Sequence, residues 1–141
     1  MKFELPDELV FIKNAKAIQK KSSVSMAGKV CVITGTTSGV GLETAKRLAR
    51  GGAHIVMVCR NMEKAKSVKK EIGPKYNVPI DIVIADFSHL DEVRKAADAI
   101  LNKYISIDVL INNAGLHSTV PIYTRRVLNW YFVSITLLLF C

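Results

Sequence analysis

Apolar and polar positions follow two different periods along this chain. Four short runs are apolar at nearly every residue: 29–33, 54–59, 80–85 and 108–112. Runs of that kind read as strands buried on both faces. Between them lie three stretches with helical spacing. Residues 39–50 form the first, and Gly51-Gly52 ends it, as glycine does at a helix C-terminus. Residues 61–72 form the second, capped by Asn61, with Met62, Ala65, Val68 and Ile72 along one side and Gly73-Pro74 as its stop. Residues 90–104 form the third. Its core stripe is Leu90, Val93, Ala97, Ile100, Leu101 and Tyr104, and Ser88-x-x-Asp91 resembles a capping box at its start. The alternation predicts an α/β fold with a doubly wound parallel sheet, and right-handed crossovers give the strand order 3-2-1-4. Ligands of such sheets bind beyond the carboxyl ends of the strands, at the switch point between the first and fourth strand.

The flanks read differently. Residues 1–27 read as a leader in which 6–21 are patterned as an amphipathic helix, with Leu9, Ile12 and Ile18 apolar against a lysine-rich side. A solvent-facing helix docked on the domain is the first reading, a membrane-surface helix the second. Asp7, Glu8 and Lys13 interrupt the apolar residues that a signal peptide would need. Residues 28–116 are expected to be the folded unit, and 117–141 an aberrant hydrophobic tail.

Composition narrows the chemistry. The chain has 141 residues, half of them hydrophobic, enough for one domain with a real core. Its net charge of +8 admits nucleic acid, anionic membrane or a phosphorylated ligand as a partner. The lysines and arginines are spread along the helices with no interleaved aromatic platform, which argues against nucleic acid and for solvated helix faces with a few phosphate contacts. Cys31, Cys59 and Cys141 form no metal-ligand cluster and fit reduced thiols in a cytoplasmic compartment.

The segment TGTTSGVG, residues 34–41, falls between the first strand and the first helix. Gly35 permits a tight turn, Gly39 lets backbone approach a pyrophosphate, and Gly41 lets the helix pack close. The helix N-terminus offers free N–H groups to phosphates, with Thr37, Ser38 and Val40 beside it. At the end of the second strand, an acidic residue would accept from the ribose 2′-OH of NAD. This chain instead has Cys59-Arg60-Asn61, and Arg60 stands 19 residues after Gly41. A guanidinium there pairs with a 2′-phosphate, which points to NADP.

These residues, with Asp86 after the third strand and Asn112-Asn113-Ala114-Gly115 after the fourth, resemble the short-chain dehydrogenase/reductase family over residues 28–116. The VCRN segment, residues 58–61, is similar to the retinol dehydrogenase and WW-domain oxidoreductase branch. The resemblance implies a Rossmann-type NADP-binding half-domain and hydride transfer between an alcohol and a carbonyl. It implies that Asp86 and Phe87 border the adenine pocket and that Asn112 braces the central sheet. It places Asn113, Ala114 and Gly115 beneath the ribose and nicotinamide.

The family's catalytic residues are a Ser and a Tyr-x-x-x-Lys pair downstream of NNAG. Here the tyrosines after Gly115 are Tyr123 and Tyr131, and neither has a lysine four residues later. As written, the chain is expected to bind NADP and not to turn over. Residues 127–141, read one nucleotide earlier in a back-translation, give GFELVFCVNHFAPFL, which resembles the family's continuation; an out-of-frame tail is the expectation, and the coding DNA decides it. The competing reading is a membrane contact. Fifteen residues after Arg126 would span roughly 22 Å as a helix, short of the ~30 Å hydrocarbon core, so they fit an interfacial segment better than a span. Three readings stay open on sequence: the cofactor-binding half of a reductase, a catalytically inactive NADP-binding or regulatory module, and a non-functional truncated product.

Overall fold

The computed structural model describes residues 24–115. The helix expected over 6–21 and the tail expected over 117–141 lie outside the described residues. Seven elements alternate: β1 (Val30–Thr34), α1 (Gly39–Arg50), β2 (His54–Cys59), α2 (Met62–Tyr76), β3 (Ile80–Ile84), α3 (Leu90–Lys103) and β4 (Val109–Ile111). The sheet order is β3-β2-β1-β4, and every neighbouring pair is parallel. This is the Rossmann-type order that the sequence pattern implies.

Side chains alternate between two cores, as strand geometry requires. Cys31, Ile33, Ile55, Met57 and Cys59 face α1 and α2, where they meet Ala45, Ala49, Ala65, Val68 and Ile72. Val32, Val56 and Val58 face α3, against Val93, Ala96 and Ile100. Alanines at 45, 49 and 65 let those helices approach closely. Ile33, Ile55, Met57 and Ile100 are fully buried, each worth about 1.5–3 kcal/mol of transfer free energy. The register pairs Ile33 with both Met57 and Ile111. The carboxyl ends of β1, β2 and β4 therefore stand level, and the segments that leave them share one edge.

Four local expectations need correction. α2 does not stop at Ile72 but runs through Gly73-Pro74 to Tyr76, where Asn77 takes the left-handed C-cap conformation at φ 51°. A proline ring clashes with the Cβ of a helical residue before it; Gly73 has none, and Ile72 and Tyr76 keep the last turn on the core. Ser88 does not cap α3. Its N–H and hydroxyl both donate to Asp86 Oδ1, at 2.9 and 2.7 Å, and the helix starts after His89. Leu101 is half exposed, at 51 %, and Ala96 takes its place in the core; eight residues past Val93, Leu101 falls on the flank of the stripe. Met26 and Ala27, counted with the leader, pack on Gly51 and Gly52, and Met26 N–H donates to Gly51 O at 2.9 Å.

Candidate functional site

The turn between β1 and α1 is shaped by what its glycines exclude. Gly35 has φ +71°, and a Cβ there would stand 2.9 Å from Ala114 Cα. A Cβ on Gly41 would stand 2.3 Å from both Gly35 O and Asn113 Nδ2. The turn, the start of α1 and the segment after β4 thus pack at backbone contact distance. Gly35 N–H also donates to Val58 O at 2.8 Å, tying the turn to β2.

A hydrogen-bonded clamp holds this arrangement. Thr34 Oγ1 accepts from Asn113 N–H at 3.0 Å and from Ala114 N–H at 2.8 Å. Asn113 Nδ2 donates back to Thr34 O and Gly35 O at 3.0 and 3.1 Å. Asn113 is thus a brace at this end of the sheet, beside the exposed Asn112. Neither Thr34 nor the inward turn of Asn113 was foreseen; adjacent asparagines at a strand end carry no periodic signal that tells them apart.

α1 begins beside this clamp with Ser38 as N-cap, no side chain capping it and no acidic residue in its first turn. Its first-turn N–H groups and the helix dipole present partial positive charge. An open cleft of about 390 Å³ lies there, lined by Gly35, Thr37, Ser38, Val40, Cys59, Arg60, Asp86, Phe87, Asn113, Ala114 and Gly115. The structure brings together residues from all three motifs named from sequence. Three nominated residues do not line it. Gly39 stands at the outer edge with φ +59° and open space where a Cβ would go. Gly41 is buried against the turn, and the Asn61 side chain caps α2 by accepting from Lys64 N–H at 2.9 Å.

Charge in the cleft is asymmetric. Arg60 is exposed and makes no ion pair among the described residues. Asp86 is held below the usual carboxylate range, chiefly because the Ser88 N–H and hydroxyl donate to it, with His89 and Arg60 adding positive charge nearby. Its N–H donates to Glu92 Oε2 at 2.8 Å, fixing it at the head of α3. Cys59 was not nominated, although it is the last strand residue before Arg60. It is 3 % exposed, and burial pushes its thiol up to about 11, so it is a neutral wall and not a nucleophile.

Comparison with known proteins fits this geometry. The short chain dehydrogenase family model matches residues 29–133. The chain belongs to the short-chain dehydrogenase family. It is 41% identical over 96 residues to human retinol dehydrogenase 11, covering 67% of this chain and 30% of that protein. It is 36% identical over 96 residues to human retinol dehydrogenase 13, covering 67% and 29%. Among solved structures it is similar to L-sorbose reductase from Gluconobacter frateurii complexed with NADPH and L-sorbose. That match has a TM-score of 0.64 and 34% identity, over 70% of this chain and 37% of that one. The chain thus spans under a third of the length of these two dehydrogenases. Family membership makes it an oxidoreductase-type fold.

Proposed function

We propose that this chain binds NADP(H) in the cleft between β1, β2 and β4, as the cofactor-binding part of an alcohol/carbonyl oxidoreductase. The observation that carries the reading is Arg60: an exposed guanidinium with no ion pair among the described residues, at the end of β2, where no acidic residue stands to accept from a ribose 2′-OH. The residues present fit the group. The uncapped first turn of α1 with Thr37 and Ser38 would take the pyrophosphate. Arg60 would pair with the 2′-phosphate, a charge-assisted contact of about 1.5–3 kcal/mol. Asp86, kept ionised, would accept from the adenine amino group, and Phe87 would wall that pocket. Ala114 and Gly115 leave room for the ribose and nicotinamide. Bound there, the nicotinamide supplies a hydride; the chain supplies position and electrostatics. The L-sorbose reductase neighbour and a short-chain dehydrogenase from Sphingobium yanoikuyae were both solved with NADPH, which supports the choice of cofactor.

A second reading rests on one further observation: none of the tyrosines in these 141 residues has a lysine four residues later. On their own, these residues bind the cofactor without turning over a substrate. Cys31 and Cys59, buried and in no disulfide, fit a reducing, cytoplasmic setting. Calorimetric titration of the 141-residue chain with NADPH and with NADH tests the proposal. NADPH is expected to bind about 10–100-fold more tightly, with the difference abolished in Arg60→Ala. Equal affinity for the two, or binding of neither, overturns it.

A further inference from the structure

We infer that Asn61 is a positioning residue for Arg60: it sets the preference for a 2′-phosphate through the start of α2, without touching the cofactor. The inference rests on the NADP reading above.

The chain is fixed on both sides of Arg60. Before it, Cys59 is paired in register with Ile84, and Cys59 O accepts from Ala85 N–H at 3.2 Å. After it, Asn61 is extended, at φ −110° and ψ 107°, and closes the first turn of α2 twice. Its Oδ1 accepts from Lys64 N–H at 2.9 Å, and its backbone O accepts from Ala65 N–H at 3.1 Å. Ala65 is fully buried and pins that turn to the core. Arg60 is thus the single residue between the strand end and the cap. Its side chain has no ion-pair partner among the described residues to hold it. What restrains the guanidinium is the backbone beneath it, and the cap is one of the two fixings of that backbone. Asn61 Oδ1 is committed to Lys64 N–H and Asn61 is absent from the lining of the cleft, so its effect on a ligand passes through Arg60.

Asparagine, serine and threonine are comparable caps, and alanine is not one. In calorimetric titrations of the 141-residue chain, Asn61→Ala is expected to weaken NADPH binding about threefold to tenfold, the order of an arginine left to be immobilised on binding. NADH binding should stay within about twofold, because only the 2′-phosphate contact is loosened. Asn61→Ser, which restores the cap, should restore the NADPH affinity. Adding Asn61→Ala to Arg60→Ala should lower NADPH affinity no further. Urea unfolding of each variant establishes that it is folded before it is titrated. The inference is overturned if Asn61→Ser loses as much as Asn61→Ala, since the amide would then touch the cofactor itself. It is also overturned if Asn61→Ala lowers stability and leaves the NADPH-to-NADH ratio unchanged. If Arg60→Ala alone leaves that ratio unchanged, the NADP reading falls, and that outcome is distinct from both of the others.

Discussion

Asp81, at the start of β3, accepts from the Tyr104 hydroxyl, and its Oδ2 lies 2.8 Å from His54 Nε2 and 2.9 Å from Lys103 Nζ. Arg60, at the end of β2, pairs with no carboxylate among the described residues. The contrast extends along both edges of the sheet. At the amino end, Lys29 Nζ meets Asp108 Oδ1 at 2.7 Å, and the other oxygen of Asp108 accepts from Val30 N–H at 2.9 Å. These contacts tie β1 to the approach of β4 and β3 to the end of α3. At the carboxyl end, the first turn of α1 carries no cap and no acid, whereas α2 has both, in Asn61 and Glu63. Among the described residues the charged groups of the amino end pair with one another, while Arg60 and the first turn of α1 at the carboxyl end are left open. The clamp of Thr34 and Asn113 is what lets the open end stay shaped without filling itself.

That contrast can be broken from either side. The largest effect is expected at Gly41. A Cβ 2.3 Å from Gly35 O and Asn113 Nδ2 cannot be absorbed by a flexible side chain, because Asn113 is itself held by two acceptors. Gly41→Ala should cost about 3 kcal/mol in urea unfolding, at the upper end of overpacking. It should lower NADPH affinity by more than about a hundredfold. Thr34→Val comes next. It removes the oxygen that accepts from Ala114 N–H and that shares Asn113 N–H with Ile111 O, two hydrogen bonds that together should cost about 1–3 kcal/mol. It should weaken NADPH and NADH alike, since the clamp shapes the cleft and does not read the 2′-phosphate. An unchanged affinity would mean that the turn holds its form without the clamp.

The smallest effect belongs to the amino end and should spare the cofactor. Asp81→Ala is expected to cost about 1–2 kcal/mol with NADPH affinity unchanged. Burial alone would raise the Asp81 carboxyl, but hydrogen bonds from Tyr104, Lys103 and His54 outweigh it and hold the group well below its ordinary 3.8. Asp108 is lowered too, first by the Lys29 hydrogen bond and then by Val30 N–H. Folded values below unfolded ones mean that this stability is complete above the ordinary carboxylate range. It is lost as the pH falls through 3.8 toward the folded values. Urea midpoints measured from pH 6 down to pH 3 should therefore fall at the acid end, and less steeply in Asp81→Ala. An identical slope in the variant would show that Asp81 is not the group responsible.

Much of this was legible in the sequence, for physical reasons. Strands such as 54–59 are apolar on both faces because helices cover both, and the glycines of residues 34–41 announce a turn that a Cβ would block. The misses occur where a local signal competes with tertiary contacts. Gly73-Pro74 reads as a stop, yet glycine before proline is the pair that a last helical turn can hold. Ser88 reads as a cap, yet the Asp86 carboxylate takes its donors. Asn112 and Asn113 are neighbours of one type, and the sequence does not show that the Asn113 amide reaches Thr34 O and Gly35 O.

The central claim, that the carboxyl end of the sheet is the cofactor end, is tested most directly by hydrogen exchange with and without NADPH. Amides of residues 35–42, 60, 86–87 and 113–115 are expected to gain protection, more with NADPH than with NADH at equal concentration. Amides around 29–30, 81 and 104–108 should stay as they were. Protection at the amino end, or none at the glycine turn under saturating NADPH, would contradict it.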